Sequence, residues 1–179
     1  MSMLKRAAVA IFVPVMATAA IAADGGVKAP RLGTPMSADE IQKWDRTIIG
    51  DGRGLPPGKG TAKDGRVIYE QKCASCHGSH GEGGTAEELV GEPKPPSAEN
   101  PSKAIGSYWP FAPTVFDFVR RSMPPAAAGT LTADETYALT AYLLAANGVI
   151  DEGDEMNAKT LAAVRMPNRD GFIWIDVKK

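Results

Sequence analysis

Cysteine and histidine are scarce, with two of each in 179 residues. Two cysteines cannot build a disulfide-dense scaffold. An excess of one charge is also lacking. Lys and Arg number 20 and Asp and Glu 21, for a formal net charge of −1. That excludes the basic footprint of a nucleic-acid binder. Only one long apolar run exists, Ala7 to Ala23, and Pro14 interrupts it. At this length a membrane-spanning helix would be marginal. Glycine (19) and proline (14) are plentiful instead, about 18 % of the chain together. Long irregular stretches around a small folded centre are therefore expected. A hydrophobic share of 44 % is enough for one core. The length suits one domain with extensions.

Lys5 and Arg6 precede the apolar run, Ala20 and Ala22 sit near its end, and Asp24-Gly25-Gly26 follows. A positive start, a short apolar stretch and small residues before a polar turn describe a secretory signal peptide. Cleavage is expected after Ala22 or Ala23, and an uncleaved membrane anchor is the alternative. Loss of residues 1–23 removes two positive charges and leaves a net charge of about −3. The mature chain would work in a periplasm-like compartment. Its predicted organisation is an N-terminal extension over 24–60, a helical domain over 61–147 and a C-terminal extension over 148–179.

Residues 73–77 read Cys73-Ala74-Ser75-Cys76-His77. C-x-x-C-H is the attachment motif of c-type haem. Two thiols at this spacing can add across the two vinyl groups on one porphyrin edge. The adjacent imidazole then reaches the iron. A thioredoxin-like pair would need a βαβ setting, and none precedes the motif. A zinc site would need about four ligands. Cys73, Cys76, His77 and His80 could supply them only without a second ligand knuckle. One covalent haem c is the reading that fits, with His77 as proximal ligand.

The sixth ligand must come from elsewhere. His80 lies too near His77 to reach the other face of the ring. Methionine is the remaining neutral donor. Met123 stands in Arg120-Arg121-Ser122-Met123-Pro124-Pro125. The proline pair stops the preceding helix and extends the chain, presenting Met123 from a loop. Met166, which also precedes a proline, is the rival, and Met36 and Met156 complete the set.

Capping patterns place the helices. Ser37 with Glu40 starts one that would carry Ile41, Trp44 and Ile48 on a single face. A helix over 61–72 leads into the haem motif, with Val67, Ile68 and Tyr69 apolar and Gly65 offering a close approach. Thr85 would cap a short helix at 86–89 within a long glycine- and proline-rich loop. Tyr108 and Trp109 in that loop are candidates to bond the haem propionates or to pack on the ring. A helix over 113–121 ends in Arg120 and Arg121, where the dipole favours cations. Thr132 with Glu135 opens a helix over 133–146 that ends at Asn147-Gly148. That helix should cross the one over 61–72 near Gly65 and Tyr69. A short helix over 157–164 and a brief extended run near 172–175 would follow.

Gly65 and Tyr69, Cys73-x-x-Cys76-His77-Gly78, Met123-Pro124 and the helix bearing Tyr142 resemble class I c-type cytochromes over about residues 61–147. The resemblance implies an all-α fold packed around one haem. A narrower likeness runs through Trp44-Asp45, Gly52-x-Gly54-Leu55-Pro56-Pro57-Gly58-x-Gly60-Thr61-Ala62, Gly106-Ser107-Tyr108-Trp109-Pro110, Phe116-Asp117-Phe118-Val119-Arg120-Arg121-x-Met123-Pro124 and Met166-Pro167-Asn168-Arg169-Asp170-Gly171-Phe172. These stretches are similar to the N-terminal haem domain of the cytochrome subunit of sulfur dehydrogenase in the Sox system. That subunit partners a sulfite-dehydrogenase-like molybdenum protein. The likeness implies Cys73 and Cys76 as covalent anchors and His77 and Met123 as axial ligands. It also implies a molybdenum dehydrogenase as electron donor and a further cytochrome or oxidase as acceptor. Members of that family often continue into a second cytochrome domain, whereas this sequence stops at Lys179. An open-site haem protein with peroxidase or gas-binding activity is the alternative function. A zinc- or disulfide-bearing module is the more distant one.

Overall fold

The computed structural model describes residues 32–92, 99 and 101–172, apart from the side chain of Gln42. The signal-peptide assignment and the extended run beyond Phe172 lie outside the described residues. The features below belong to the unit Ser37–Lys179.

Helix α1, Ala38–Trp44, begins with a complete capping box. The Glu40 amide donates to Ser37 Oγ at 3.3 Å, and the Ser37 amide donates to the Glu40 carboxylate at 2.9 Å. The helix stops earlier than the periodicity suggests. Asp45 turns extended, and its carboxylate accepts from the Thr47 amide at 3.0 Å. Ile48 therefore leaves the helical face and enters the core, while Ile41 and Trp44 are exposed.

Strand β1, Lys59–Thr61, runs directly into α2, Ala62–Lys72, with Thr61 as N-cap. The buried residues of α2 are Ala62, Gly65 and Tyr69. Val67 lies outside this i, i+3, i+7 face and is exposed.

Helix α6, Ala133–Ala146, occupies the centre and is buried on most sides. It packs mainly against α2 and β1. Both approach it at glycines. A Cβ on Gly65 would strike the Ala138 carbonyl, and one on Gly60 would strike the Ala138 backbone from the strand. Tyr69 and Tyr142 meet at this crossing, with ring centroids 5.0 Å apart. The buried hydroxyls of Thr136 and Thr140 each donate to the carbonyl four residues back at 2.7 Å. Neither hydroxyl goes unpaired, which would otherwise cost about 1–3 kcal/mol.

The one-turn helix α3, Ala74–His77, follows α2. Another single turn, α4, covers Ile105–Tyr108. Helix α5, Ala112–Ser122, carries Pro113 in its first turn, where no intrahelical donor is needed. Val115, Phe116 and Val119 are buried, whereas Phe118 remains exposed. Phe116 packs on Tyr137 of α6 at 4.5 Å between centroids.

The chain beyond α6 returns to the body. Strand β2, Glu155–Asn157, pairs antiparallel with β1, placing Met156 opposite Gly60. Asn157 caps α7, Ala158–Ala163, accepting from the Lys159 and Thr160 amides at 3.0 and 3.1 Å. Met156, Leu161 and Met166 join the same buried cluster as Tyr69, Phe116 and Leu139.

Candidate cofactor site

Helix α2 ends at Lys72 because Cys73 leaves helical geometry, and the chain then winds the single turn α3. That turn gathers Cys73, Cys76 and His77 onto one wall of a cleft of about 280 Å³. Val115, Val119, Met123 and Pro124, from α5 and the residues after it, line the cleft as well. Leu139 and Leu143 of α6 are among its deeply buried lining residues. Cys76 and Phe118 are exposed, so the cleft opens to solvent on their side.

His77 Nδ1 lies 2.8 Å from the Glu87 carbonyl oxygen. A carbonyl only accepts, so Nδ1 carries the proton and Nε2 keeps its lone pair. This is the arrangement that orients an imidazole toward a metal. The loop after α3 is folded to deliver that carbonyl. The Ala86 amide donates to the Cys76 carbonyl at 3.0 Å, and the Gly83 amide donates to the His77 carbonyl at 2.8 Å. Leu89 and Val90 both donate to the Gly81 carbonyl, at 2.8 and 2.9 Å. A helix opening at Thr85 would need the Leu89 amide for the Thr85 carbonyl. That amide is committed elsewhere, and the expected turn at 86–89 does not form.

Met123 follows α5 in extended conformation, with φ −116° and ψ 145°. Among the four methionines beyond residue 23, it alone appears in this cleft's lining. Met156 and Met166 are buried in the core. His80 is exposed and lines a separate groove beside Arg66 and Tyr142. The donor chemistry fits haem c. An imidazole lone pair, a thioether and the two thiols of the C-x-x-C-H motif line a cleft whose other walls are largely aliphatic and aromatic.

Over 82 % of its length the chain matches 72 % of a chain in the crystal structure of the sulfane dehydrogenase SoxCD from Paracoccus pantotrophus. The identity is 40 % and the TM-score 0.76. The family described as cytochrome C oxidase, cbb3-type, subunit III matches residues 60–143. This protein belongs to the class I c-type cytochromes. No curated protein matches the chain. The all-α cytochrome c fold expected from the sequence is the fold present, with the small β1–β2 ribbon added to it. Haem c is the cofactor of this family, and electron transfer its general role. No helix among the described residues is long and apolar enough to cross a membrane.

Several cytochrome groups around the cleft carry no side-chain signal in the sequence. The Glu87 carbonyl is one, since a backbone acceptor can belong to any residue. Tyr69, read from the sequence as a packing residue, also bonds: its hydroxyl donates to the Gly78 carbonyl at 2.8 Å and so ties α2 to the end of the haem motif. Burial pushes this phenol up to about 12. Burial also pushes the Cys73 thiol up, against the pull of neighbouring Lys72. Lys72 itself lines the cleft and pairs with Glu135 at 2.7 Å.

Of the two aromatic candidates in the long loop, Trp109 lines the cleft. Tyr108 is not among the lining residues. Its ring instead meets Phe172 edge-on at 5.4 Å. Arg121 is committed to Asp117 at 2.6 Å and to the Arg46 carbonyl at 3.0 Å.

Proposed function

We propose that this cytochrome carries one covalent haem c in the cleft and transfers single electrons in the periplasm. The haem supplies a one-electron Fe(III)/Fe(II) couple; the chain holds it, orients it and limits its contact with water. Cys73 and Cys76 anchor it through thioether bonds. His77 would hold the iron through Nε2, because the Glu87 carbonyl fixes the proton on Nδ1. Met123 would supply the second protein ligand to the iron, where a thioether would favour the reduced state. Trp109, Val115, Leu139 and Leu143 form apolar walls that keep water from the ring.

The observation carrying this reading is the meeting of the C-x-x-C-H turn and Met123 at one apolar cleft. A cleaved signal peptide over residues 1–23 accounts for export. The electron donor is a molybdenum-containing sulfite or sulfur dehydrogenase subunit, and the acceptor is another cytochrome or an oxidase. Support for the donor comes from the 40 % identity to a chain of the sulfane dehydrogenase SoxCD.

The test is expression with a working haem-attachment system, followed by haem staining of a denaturing gel. The wild-type band should stain, and a Cys73→Ala/Cys76→Ala variant should not. An unstained wild-type band would contradict covalent attachment. Purification from the native host should also bring down a molybdenum-containing subunit; a lone monomer would contradict the assigned donor.

A further inference from the structure

The stretch Met166–Phe172 contributes nothing to the lining of the cleft, yet it grips the residues on both sides of one that does. Met166 is buried and anchors the start of this strap. The strap then turns, with the Arg169 amide donating to the Met166 carbonyl at 3.1 Å and the Gly171 amide to the Asn168 carbonyl at 3.2 Å. From this turn Asn168 Nδ2 donates to the Tyr108 carbonyl at 2.7 Å. The Phe172 ring meets the Tyr108 ring at 5.4 Å, near perpendicular. The Arg169 guanidinium sits 4.3 Å from the centroid of the Phe111 ring. That ring also abuts Gly50, where an added Cβ would come within 2.7 Å of it.

Tyr108 and Phe111 bracket Trp109-Pro110. Trp109 lines the cleft and packs edge-on against Phe118 at 5.8 Å. Residues 109–111 lie between the single turn α4 and the start of α5 and have no helix of their own to hold them. The strap supplies what a helix would: a hydrogen bond on one side of Trp109 and a cation over a ring on the other.

We propose that Asn168 and Arg169 are positioning residues that fix Trp109 as a wall of the haem cleft, and so help set the midpoint potential by excluding water. The inference rests on the reading that haem occupies this cleft. Water at the ring stabilises the more highly charged oxidised state, so loosening Trp109 should lower the potential.

The experiment is a mutant cycle on the full-length holoprotein, read by redox titration. Asn168→Ala/Arg169→Ala should lower the midpoint potential when residue 109 is tryptophan. The same pair of changes should leave the potential unmoved in a Trp109→Phe background. Arg169→Lys, which keeps a cation near Phe111, should recover part of the shift. An equal fall in both backgrounds, or no fall with Trp109 present, overturns the proposal. If the double variant does not fold, Asn168→Asp removes the donor at nearly constant size and is subject to the same two criteria. Trp109 emission, isolated by Trp44→Phe and Trp174→Phe, separates the two failures. Quenched emission in the wild type, brightening in the strap variant, supports the positioning role. Emission as bright as that of free tryptophan in the wild-type holoprotein means that haem is elsewhere, and the cleft reading fails together with this one.

Discussion

Two Met-Pro pairs occupy contrasting places in this protein. Met123-Pro124 leaves α5 in extended form, half-buried, at an apolar cleft. Met166-Pro167 follows α7, with its methionine only 1 % exposed among Leu161, Phe116 and their neighbours. Local sequence is alike at the two sites, and what surrounds each sulfur differs. A thioether enclosed by side chains fills space, whereas one at a cleft with an imidazole on the same lining can serve as a ligand. The same division runs through the whole fold. The packing of α2 and β1 on α6 is a close backbone contact made possible by Gly65 and Gly60, and it forms a stiff frame. The chemistry is borne on short turns held to that frame by backbone hydrogen bonds.

The contrast is sharpest when each methionine is truncated. Met166→Ala should cost about 2–5 kcal/mol of stability, the usual range for a buried large-to-small change. Its haem spectrum should stay that of the wild type. Denaturant unfolding alongside visible absorption checks both halves; a lost methionine–iron band in this variant would reverse the two assignments.

The frame should yield next at its crossing. Gly65→Val places new atoms against the Ala138 backbone, which cannot move aside as a flexible side chain would. Overpacking of this kind costs about 1–3 kcal/mol. Thermal melting would register it, and an unchanged midpoint would show that the helices can part freely.

Alkali should loosen the frame more gently. Burial raises the Tyr69 and Tyr137 phenols from 10.0 to about 12. The folded state therefore holds their protons longer than the unfolded chain does. Their contribution to stability is complete below about pH 10 and is lost as pH rises toward about 12. Denaturant midpoints measured across that window should decline, and less steeply in a Tyr69→Phe variant.

Much of the frame was legible from the chain's own punctuation. Ser37 and Thr132 each accept the amide bond that starts α1 and α6. Pro113 opens α5, and the Met123-Pro124 junction closes it. What the sequence hid depends on distant backbone. The β1–β2 ribbon is three residues on each side, too short for alternation to announce it. The loop after His77 carries a good capping signal at Thr85, but tertiary hydrogen bonds to Gly81 and Cys76 override it. At the site, Cys73, Cys76, His77 and Met123 declare themselves by residue type. The Glu87 carbonyl and the grip of Asn168 on Tyr108 do not, because both work through main-chain atoms.

The decisive measurement is the absorption spectrum of the oxidised holoprotein with and without Met123. The wild type should be low-spin and show the weak far-red band of methionine-ligated ferric haem. Met123→Ala should lose that band and turn high-spin, or bind an outside ligand, while the haem stays attached to the chain. A band that survives Met123→Ala, or a wild type that is already high-spin, would contradict the assignment of His77 and Met123 as the pair that holds the iron.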